Sequence, residues 1–459
     1  MRERWTATLP DADRRQEQQF NAWLTRSDIP FEHEEAEKAY RQRVSRIRDA
    51  VRLENPPDRV PVCPSPGFFP VEVAGMTLHE VMYDYDKLAR VWKKYHEDFD
   101  PDAYFAPTSV VPGRVLDILD LKLYQWPGHG VSRERPYQFV EGEYMKEGEY
   151  PAFIDDPTAF FIRVYFPRIF GALRDLEKMP PMPPPSEIIT LASGVLPFAD
   201  PGVQKALHAL MEAGTEAARW SERVRALNQS MWAKGYPSFS GGLSKAPYDF
   251  VGDSLRGTAG VMTDLYRHPD ELLAACERVV PLMVSRGLES AKANRHCLVF
   301  MPLHKGADGF MSDRQFRTFY WPSLRKVIVG LIDEGLVPLL FAEGGYNSRL
   351  EVISDLPRGK TVWWFEATDM ARAKETVGKV ACIAGNVPLS LLLAGTPAEV
   401  EDYCRSLIRK AGRDGGFILT TAAGMTGSKP ANVRAMIECG KKEGVYSVRG
   451  DPEGCPAGW

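Results

Sequence analysis

The sequence has 459 residues, a net charge of −4 at pH 7, 44% hydrophobic residues and 26% charged residues. These are the values of an ordinary globular chain, long enough for two domains or for one large α/β barrel with an extension. They predict no nucleic-acid partner, because the sequence has no basic patch, and no membrane span, because it has no run of about 18 apolar residues.

The seven cysteines are scattered along the sequence and form no Cys-x-x-Cys pair. An odd number without such pairs indicates reduced thiols rather than a secreted disulfide framework. The sequence begins MRERWTATLPDADRRQEQQ, which is charged and lacks the apolar region of a secretory signal. We therefore expect a cytoplasmic protein.

The first elements are predicted to be helical. Residues 1–55 form a charged extension whose spaced apolar positions and ion pairs are typical of a surface or packing helix. Residues 56–446 are predicted to form the main domain, and residues 447–459 a C-terminal tail. Within the main domain, residues 121–155 are irregular and rich in aromatic and charged side chains, as in an active-site lid or a dimer contact.

From about residue 297, short apolar runs alternate with helical stretches. The runs are CLVFMP, LVPLLF, TVWWFE, VACIAG and GFILTT. This βα repetition predicts a parallel sheet covered by helices. Adding RVPVC (59–63), AYFA and a strand near YPSFSG gives eight strands, which predict a (β/α)8 TIM barrel. An open doubly wound sheet is the alternative, although no Gly-x-Gly-x-x-Gly opens a helix.

Polar side chains follow most of these strands, where the catalytic groups of a barrel lie. Grouped carboxylates raise one another's pKa values, so that one of them can serve as a general acid or base near neutral pH. Three residues have a structural alternative: His304 as a hydrogen-bonded loop histidine, Asp369 as a helix cap, and Arg256 as a structural ion pair. The polar residues at the strand ends are Asp253, Arg256, His304, Lys305, Asp308, Glu343, Tyr346, Asn347, Glu366, Asp369 and Asn386.

We predict that Glu343, Glu366 and His304 are the catalytic residues. If a divalent metal is bound, the same three side chains are its candidate ligands. An aromatic mouth, drawn from Phe68, Phe69, Trp363 and Trp364, would suit an aromatic or otherwise apolar substrate. The residues predicted to bind the substrate are Arg256, Asn386, Tyr346, Asn347, Asp308, Phe68, Phe69 and Trp364.

The C-terminal third of the sequence resembles the uroporphyrinogen decarboxylase superfamily. The resemblance is carried by Gly385-Asn386-Val387, by a Leu-Leu-x-Gly-Thr-Pro run at 392–397, by GGFIL at 415–419 and by Pro430-x-Asn432-Val433. It extends over roughly 200–446, and more loosely over 40–110. It implies a (β/α)8 barrel with its site at the C-terminal mouth, often in a homodimer.

The superfamily contains a haem-pathway decarboxylase and zinc-dependent methyltransferases that work with corrinoid proteins and thiols. The arginine run of the decarboxylases is replaced here by PSPGFFPVEVAG, which has no arginine. At the methyltransferase zinc positions, Phe341 replaces a His, while Glu343 and Ala423 replace two Cys. Only Glu366 matches a zinc ligand of those enzymes.

The resemblance favours an enzyme that transfers a methyl group from a small molecule, in a corrinoid-linked demethylation. A corrinoid carried by a partner protein and a divalent metal are the candidate cofactors. Two other functions stay open. One is a cofactor-independent decarboxylase or lyase, and the other is a barrel that binds a small molecule without catalysis.

Overall fold

The computed structural model describes residues 9–181 and 187–446, so the predicted tail at 447–459 lies outside the described residues. Two helices form the predicted N-terminal extension: α1 (Leu9–Leu24) and α2 (Glu34–Arg52). Helix α2 begins where Nδ1 of His33 accepts a hydrogen bond from the amide of Ala36. It ends at Leu53, whose φ of 59° leaves the helical region.

Nine strands are found in the described residues, three in a small sheet and six in the main sheet. The small sheet has the order β2-β1-β3, and the main sheet is parallel with the order β4-β5-β6-β7-β8-β9. The strands are β1 (Tyr124–Pro127), β2 (Gly130–Val131), β3 (Gln138–Phe139), β4 (Gly242–Leu243), β5 (Leu298–Leu303), β6 (Val337–Ala342), β7 (Val362–Phe365), β8 (Cys382–Val387) and β9 (Phe417–Thr421).

Two short segments close the main sheet into a barrel. Tyr104 forms a parallel bridge with Ser238, just before β4, and Val62 forms one with Leu419 of β9. The amide of Asp102 donates to the carbonyl of Val62 at 2.9 Å, so the two segments also meet each other. The ring therefore has eight parallel members, which confirms the (β/α)8 barrel and excludes the open sheet.

Helices separate the eight members of the ring in chain order. Between the first two members lie α3 (Phe69–Val73), α4 (Leu78–Tyr83) and α5 (Tyr85–Phe99). Between the second and third lie α6 (Gly113–Leu119), the small sheet, α7 (Tyr150–Asp155), α8 (Pro157–Phe160), α9 (Phe166–Ile169), α10 (Leu191–Val195) and α11 (Pro201–Ala233). The later helices are α12 (Pro247–Asp249), α13 (Gly257–Arg267), α14 (Pro269–Asn294), α15 (Asp313–Gln315), α16 (Trp321–Asp333), α17 (Leu350–Ile353), α18 (Met370–Glu375), α19 (Leu389–Ala394), α20 (Pro397–Leu407) and α21 (Pro430–Glu443).

None of the helices built by the described residues is both long and apolar enough to cross a membrane.

The N-terminal helices cover the N-terminal end of the barrel. Nε2 of Gln16 donates to the carbonyl of Gly359, before β7, and Nη1 of Arg43 donates to the carbonyl of Gly235, before the third member of the ring. Trp23 belongs to the same buried cluster as the inward-facing residues of the strands. Since this end is covered, the opposite end, where the strands finish, is the mouth that a small molecule can reach.

A buried ion-pair network holds α2 against the first two members of the ring. Asp102 is buried and accepts from Arg46 at 2.7 Å and from Arg59. Arg46 also pairs with Asp58 at 2.6 Å. Because each buried charge has an opposite partner, the network fixes the extension without leaving an isolated charge in the interior.

Candidate active site

Side chains at the ends of adjacent strands turn into the mouth because residues two apart on a strand face the same side. Phe341 of β6 and Trp364 of β7 are paired across the sheet and pack inside the barrel. Glu343 and Glu366 follow them by two residues and continue the inward face. His304 directly follows β5 and keeps the same alternation, two residues after Pro302, the partner of Phe341 in the register.

His304 is the centre of a charged cluster. Its Nδ1 lies 2.6 Å from Oδ2 of Asp253, and its Nε2 lies 3.5 Å from Oε1 of Glu343. Asp253 also pairs with Lys245, at 2.6 Å, and with Lys305. An Nδ1–H that points at a carboxylate fixes the ring's tautomer and leaves Nε2 to act on Glu343.

A second buried carboxylate, Asp249, holds the end of β5 in place. Its oxygens accept from the backbone amides of His304 and Lys305, both at 2.9 Å, and from the hydroxyl of Tyr320 at 2.7 Å. Asp249 is not among the site residues predicted from the sequence. Its spacing of four residues from Asp253, one turn of helix, is the signal that would have paired the two.

The electrostatics of the cluster favour a protonated carboxyl at Glu343. Burial raises the pKa of Glu343 to about 7, helped by Glu366 and the two aspartates and opposed by His304. Burial lowers the pKa of His304, but the hydrogen bond with Asp253 and the charges of Glu343 and Asp249 outweigh it, so the pKa is raised. Glu343 keeps 39% of its side chain exposed, so a ligand in the mouth can reach it.

Glu366 and Asn386 fix the backbone beside Glu343. Oε2 of Glu366 accepts from the amide of Gly344 at 2.5 Å. Nδ2 of Asn386 donates to the carbonyls of Thr368, at 2.9 Å, and Glu366, while the hydroxyl of Tyr403 reaches the carbonyl of Asn386 at 3.3 Å. Both predicted site residues therefore lie at the mouth, where Glu366 holds the amide of Gly344 and Asn386 holds the carbonyls of Glu366 and Thr368.

Three predicted substrate residues stabilise the loop after β6. Asp308 accepts from the hydroxyl of Ser348 at 2.8 Å, and Oδ1 of Asn347 accepts from the amide of Asp369 at 3.0 Å. Tyr346 is fully buried. Asp369 caps α18, which confirms its structural alternative. These contacts give the loop a fixed shape, and they occupy the groups that were predicted to touch a substrate.

Arg256 lies in a buried ion pair. Its guanidinium donates to both oxygens of Asp264, at 2.6 and 3.1 Å, to the carbonyl of Met145 at 2.6 Å, and to Glu143. Asp264 is itself buried and accepts from the hydroxyl of Tyr150. Arg256 therefore forms the ion pair of the structural alternative, and these contacts engage its side chain within the protein.

Three of the four aromatic residues predicted at the mouth lie in the interior, and one lies at the mouth. Phe69 is fully buried against Tyr95, at 5.9 Å between ring centres, and so lies in the core and not at the surface of the mouth. Trp363 faces outward beneath the helices. Trp364 lies inside the barrel with Nε1 donating to a backbone carbonyl, one layer below Glu366. Phe68 alone of the four stays half-buried at the mouth.

Comparison with known proteins shows which family part of this chain resembles. Residues 238–443, which include six members of the ring and the charged cluster, match the model of the family "Uroporphyrinogen decarboxylase (URO-D)". This part of the chain belongs to the URO-D superfamily.

A solved structure shares the fold of this chain. A methyltransferase from Methanosarcina mazei matches 87% of this chain and 98% of its own, with a TM-score of 0.54 and 16% identity. A B12-independent methionine synthase from Shewanella sp. W3-18-1, in complex with selenomethionine, matches 44% of this chain and 60% of its own, with a TM-score of 0.31 and 10% identity. No curated protein matches the sequence.

The mouth of this barrel does not fit the zinc of the thiol-activating methyltransferases. Such a site needs thiolate and imidazole ligands, and Phe341 and Ala423 provide neither. Oε2 of Glu366 already accepts from the backbone. In the part of the chain that the structure describes, no three His, Cys, Asp or Glu side chains are arranged to hold a metal ion.

Proposed function

We propose that this chain is an enzyme that transfers a methyl group from a small methylated molecule bound in the mouth, with Glu343 as the general acid. The observation that carries the proposal is the carboxyl of Glu343, which is partly exposed, has a pKa of about 7 and lies 3.5 Å from His304. A group with that pKa holds and releases a proton at neutral pH, as a general acid must. The methyltransferase of similar fold supports the same reaction class.

In this reaction, the bond between the methyl carbon and an oxygen of the substrate breaks as an acceptor's electron pair forms a new bond to the methyl group. The electrons of the broken bond stay on the oxygen, and Glu343 donates its proton there. His304 is held by Asp253 with Nε2 towards Glu343. It can therefore return a proton to the Glu343 carboxylate after each turnover and take another from water.

The state of the nearby cations favours this reaction over decarboxylation. A carboxylate substrate needs a free cation. The guanidinium of Arg256 is taken up by Asp264, and both Lys245 and Lys305 are paired with Asp253. A neutral methylated molecule needs no such partner. The decarboxylase or lyase and the non-catalytic barrel are the alternatives to be tested against this proposal.

The acceptor must arrive already nucleophilic, because the mouth does not fit the zinc that would activate a thiol. We propose a corrinoid carried by a partner protein, which would supply a nucleophilic centre when docked at the mouth. A homodimer and a cytoplasmic location stay predictions.

The test is ether cleavage by the purified chain. Methoxybenzene and methoxycyclohexane are each incubated with chemically reduced cobalamin as the acceptor, and the released phenol or alcohol is measured by chromatography. We expect release that falls at least about 100-fold in Glu343→Gln and is unchanged in Glu351→Gln, an exposed glutamate of α17. Carbon dioxide released from benzoate without ether cleavage would instead establish the decarboxylase. Ligand binding without either reaction would establish the binding protein.

A further inference from the structure

Three aromatic side chains at the mouth have no part in the proton transfer described above. The ring centres of Phe68 and Tyr137 lie 5.9 Å apart, and those of Tyr137 and Tyr124 lie 5.5 Å apart, both pairs nearly perpendicular. Phe68 follows the first member of the ring, whereas Tyr124 and Tyr137 come from the small sheet and its connection. We call Phe68, Tyr124 and Tyr137 the aromatic wall.

The small sheet is anchored on two sides of the mouth. On one side, the amides of Tyr144 and Met145 donate to the carbonyl of Leu255, at 2.8 and 2.7 Å, in the turn that carries Asp253. On the other side, the amide of His79 in α4 donates to the carbonyl of Arg133 at 3.0 Å. The sheet therefore reaches from the loops after the first member of the ring to those after the third.

The aromatic wall and the acid stand on different sides of the same mouth. The wall lies with the loops of the first three members, whereas His304, Glu343 and Glu366 follow the fourth, fifth and sixth. The hydrogen bonds of Tyr144 and Met145 to Leu255, two residues after Asp253, hold the chain that follows the small sheet beside the charged cluster. The aromatic wall and Glu343 therefore border the same mouth.

The tyrosines of the wall are available to a ligand. Among the described residues, neither hydroxyl of Tyr124 or Tyr137 forms a hydrogen bond, whereas nearby Tyr144 donates to a backbone carbonyl at 2.9 Å. Tyr137 is 36% exposed and Tyr124 is half-buried. Rings that only packed the sheet onto the barrel would be expected to be more fully buried.

We propose that the aromatic wall binds the aromatic ring of the substrate, so that the methyl donor is a methyl ether of an aromatic ring. Rings contact one another favourably edge-to-face or offset, at 4.5 to 7 Å between centres, and a saturated ring lacks this interaction. The claim that a methyl group is transferred rests on the proposed function. The claim that an aromatic ring of the substrate is bound rests on the geometry and exposure of the aromatic wall.

The test compares two probes of similar size on the full chain without an acceptor. Binding of methoxybenzene and of methoxycyclohexane is measured by saturation-transfer NMR titration. We expect methoxybenzene to bind about tenfold more tightly, the effect of two favourable ring contacts. We expect Tyr124→Leu with Tyr137→Leu to remove the preference, and Tyr266→Leu, at an exposed tyrosine of α13 that is 75% accessible, to leave it unchanged.

Equal binding of the two probes by the wild type would refute the proposed binding role of the aromatic wall. A preference for methoxybenzene that survives in a folded double variant would refute it as well. If the double variant does not fold, the single Tyr137→Leu change is used and must reduce the preference. The proposed function can fail independently of this inference. If the chain prefers methoxybenzene but never cleaves it, methyl transfer is refuted, whereas the proposed binding role of the aromatic wall is retained. If both ethers are cleaved but neither is bound more tightly, the proposed role of the aromatic wall is refuted and methyl transfer is retained.

Discussion

Nε2 of His304 lies 3.5 Å from Oε1 of Glu343, while Nδ1 of the same ring lies 2.6 Å from Asp253. A neighbouring imidazolium lowers the pKa of a carboxyl, yet burial outweighs this effect and the pKa of Glu343 is about 7. The two groups therefore lie in contact, and the pKa of each is raised above its ordinary value. Their apparent pKa values belong to the pair, and the pair can pass one proton between its members.

The first prediction concerns the pH profile of turnover. A general acid must be protonated to act, so kcat/KM for ether cleavage should fall as pH rises above about 7, the pKa of Glu343. In Glu343→Gln the residual rate should lose this limb. Steady-state rates from pH 5.5 to 9 measure it, with Glu351→Gln as the control. A limb that persists in Glu343→Gln would assign the proton donor to another group.

The second prediction concerns stability. The pKa of Glu343 is about 7 in the folded chain against an ordinary value of 4.5, so between these pH values the folded state holds a proton that the unfolded state releases. Its stabilising contribution is complete at low pH and is lost as pH rises through 7. We expect Glu343→Gln to gain stability relative to the wild type between pH 5 and pH 8, measured by urea unfolding. The same difference at both pH values would contradict a raised pKa.

The third prediction concerns Asp253 as a positioning residue. Its hydrogen bond is the largest contribution that raises the pKa of His304, and its charge balances Lys245 and Lys305. Asp253→Asn weakens that bond and leaves two uncompensated cations near the ring, so the pKa of His304 should fall. NMR titration of the His304 ring measures the change, and Asp355→Asn on the surface is the control. An unchanged pKa would remove Asp253 from this role.

Much of the barrel could be predicted from the sequence because it depends on local patterns. The apolar runs and their helices identify the eight members of the ring. Alternation along each strand then brings Glu343, Glu366 and His304 to one mouth, since each follows an inward-facing position. No contact distant in sequence was needed for that prediction.

The remaining parts of the site depend on contacts that no local pattern specifies. Arg256 pairs with Glu143, more than a hundred residues away, so its burial could not be read from the neighbouring sequence. The tyrosines of the aromatic wall reach the mouth only because the small sheet folds back over it. Phe68 and Phe69 are adjacent and chemically identical, yet Phe69, the first residue of α3, is buried and Phe68 is half-buried.

The fourth prediction tests the structural role of Arg256. Arg256→Met removes the partner of a fully buried carboxylate, Asp264, which would stay charged in the interior or bind a proton at a cost. We expect the free energy of unfolding to fall by about 3–5 kcal/mol, measured by urea unfolding at pH 7. Pairing it with Asp264→Leu should recover part of the loss. A folded Arg256→Met with normal stability and weakened probe binding would return Arg256 to the substrate site.

The fifth prediction concerns the helices that cover the N-terminal end of the barrel. Trp23 of α1 is 1% exposed, and its ring centre lies 4.5 Å from that of His296, whose Nε2 lies 2.9 Å from the carbonyl of Ser238 in the third member of the ring. Trp23→Ala leaves a cavity there and should destabilise the chain by about 3–5 kcal/mol. Tyr266→Ala, at an exposed aromatic position, is the matched control.

Trp23 lies at the covered end and the charged cluster lies at the mouth, so the two ends should respond separately. Below its unfolding transition, Trp23→Ala should keep the wild-type kcat/KM and pH profile for ether cleavage, because His304 and Glu343 are held by loops at the other end of the strands. A lower midpoint in urea with unchanged kinetics is the expected result. Loss of activity in a chain that is still folded would mean that the extension also shapes the mouth.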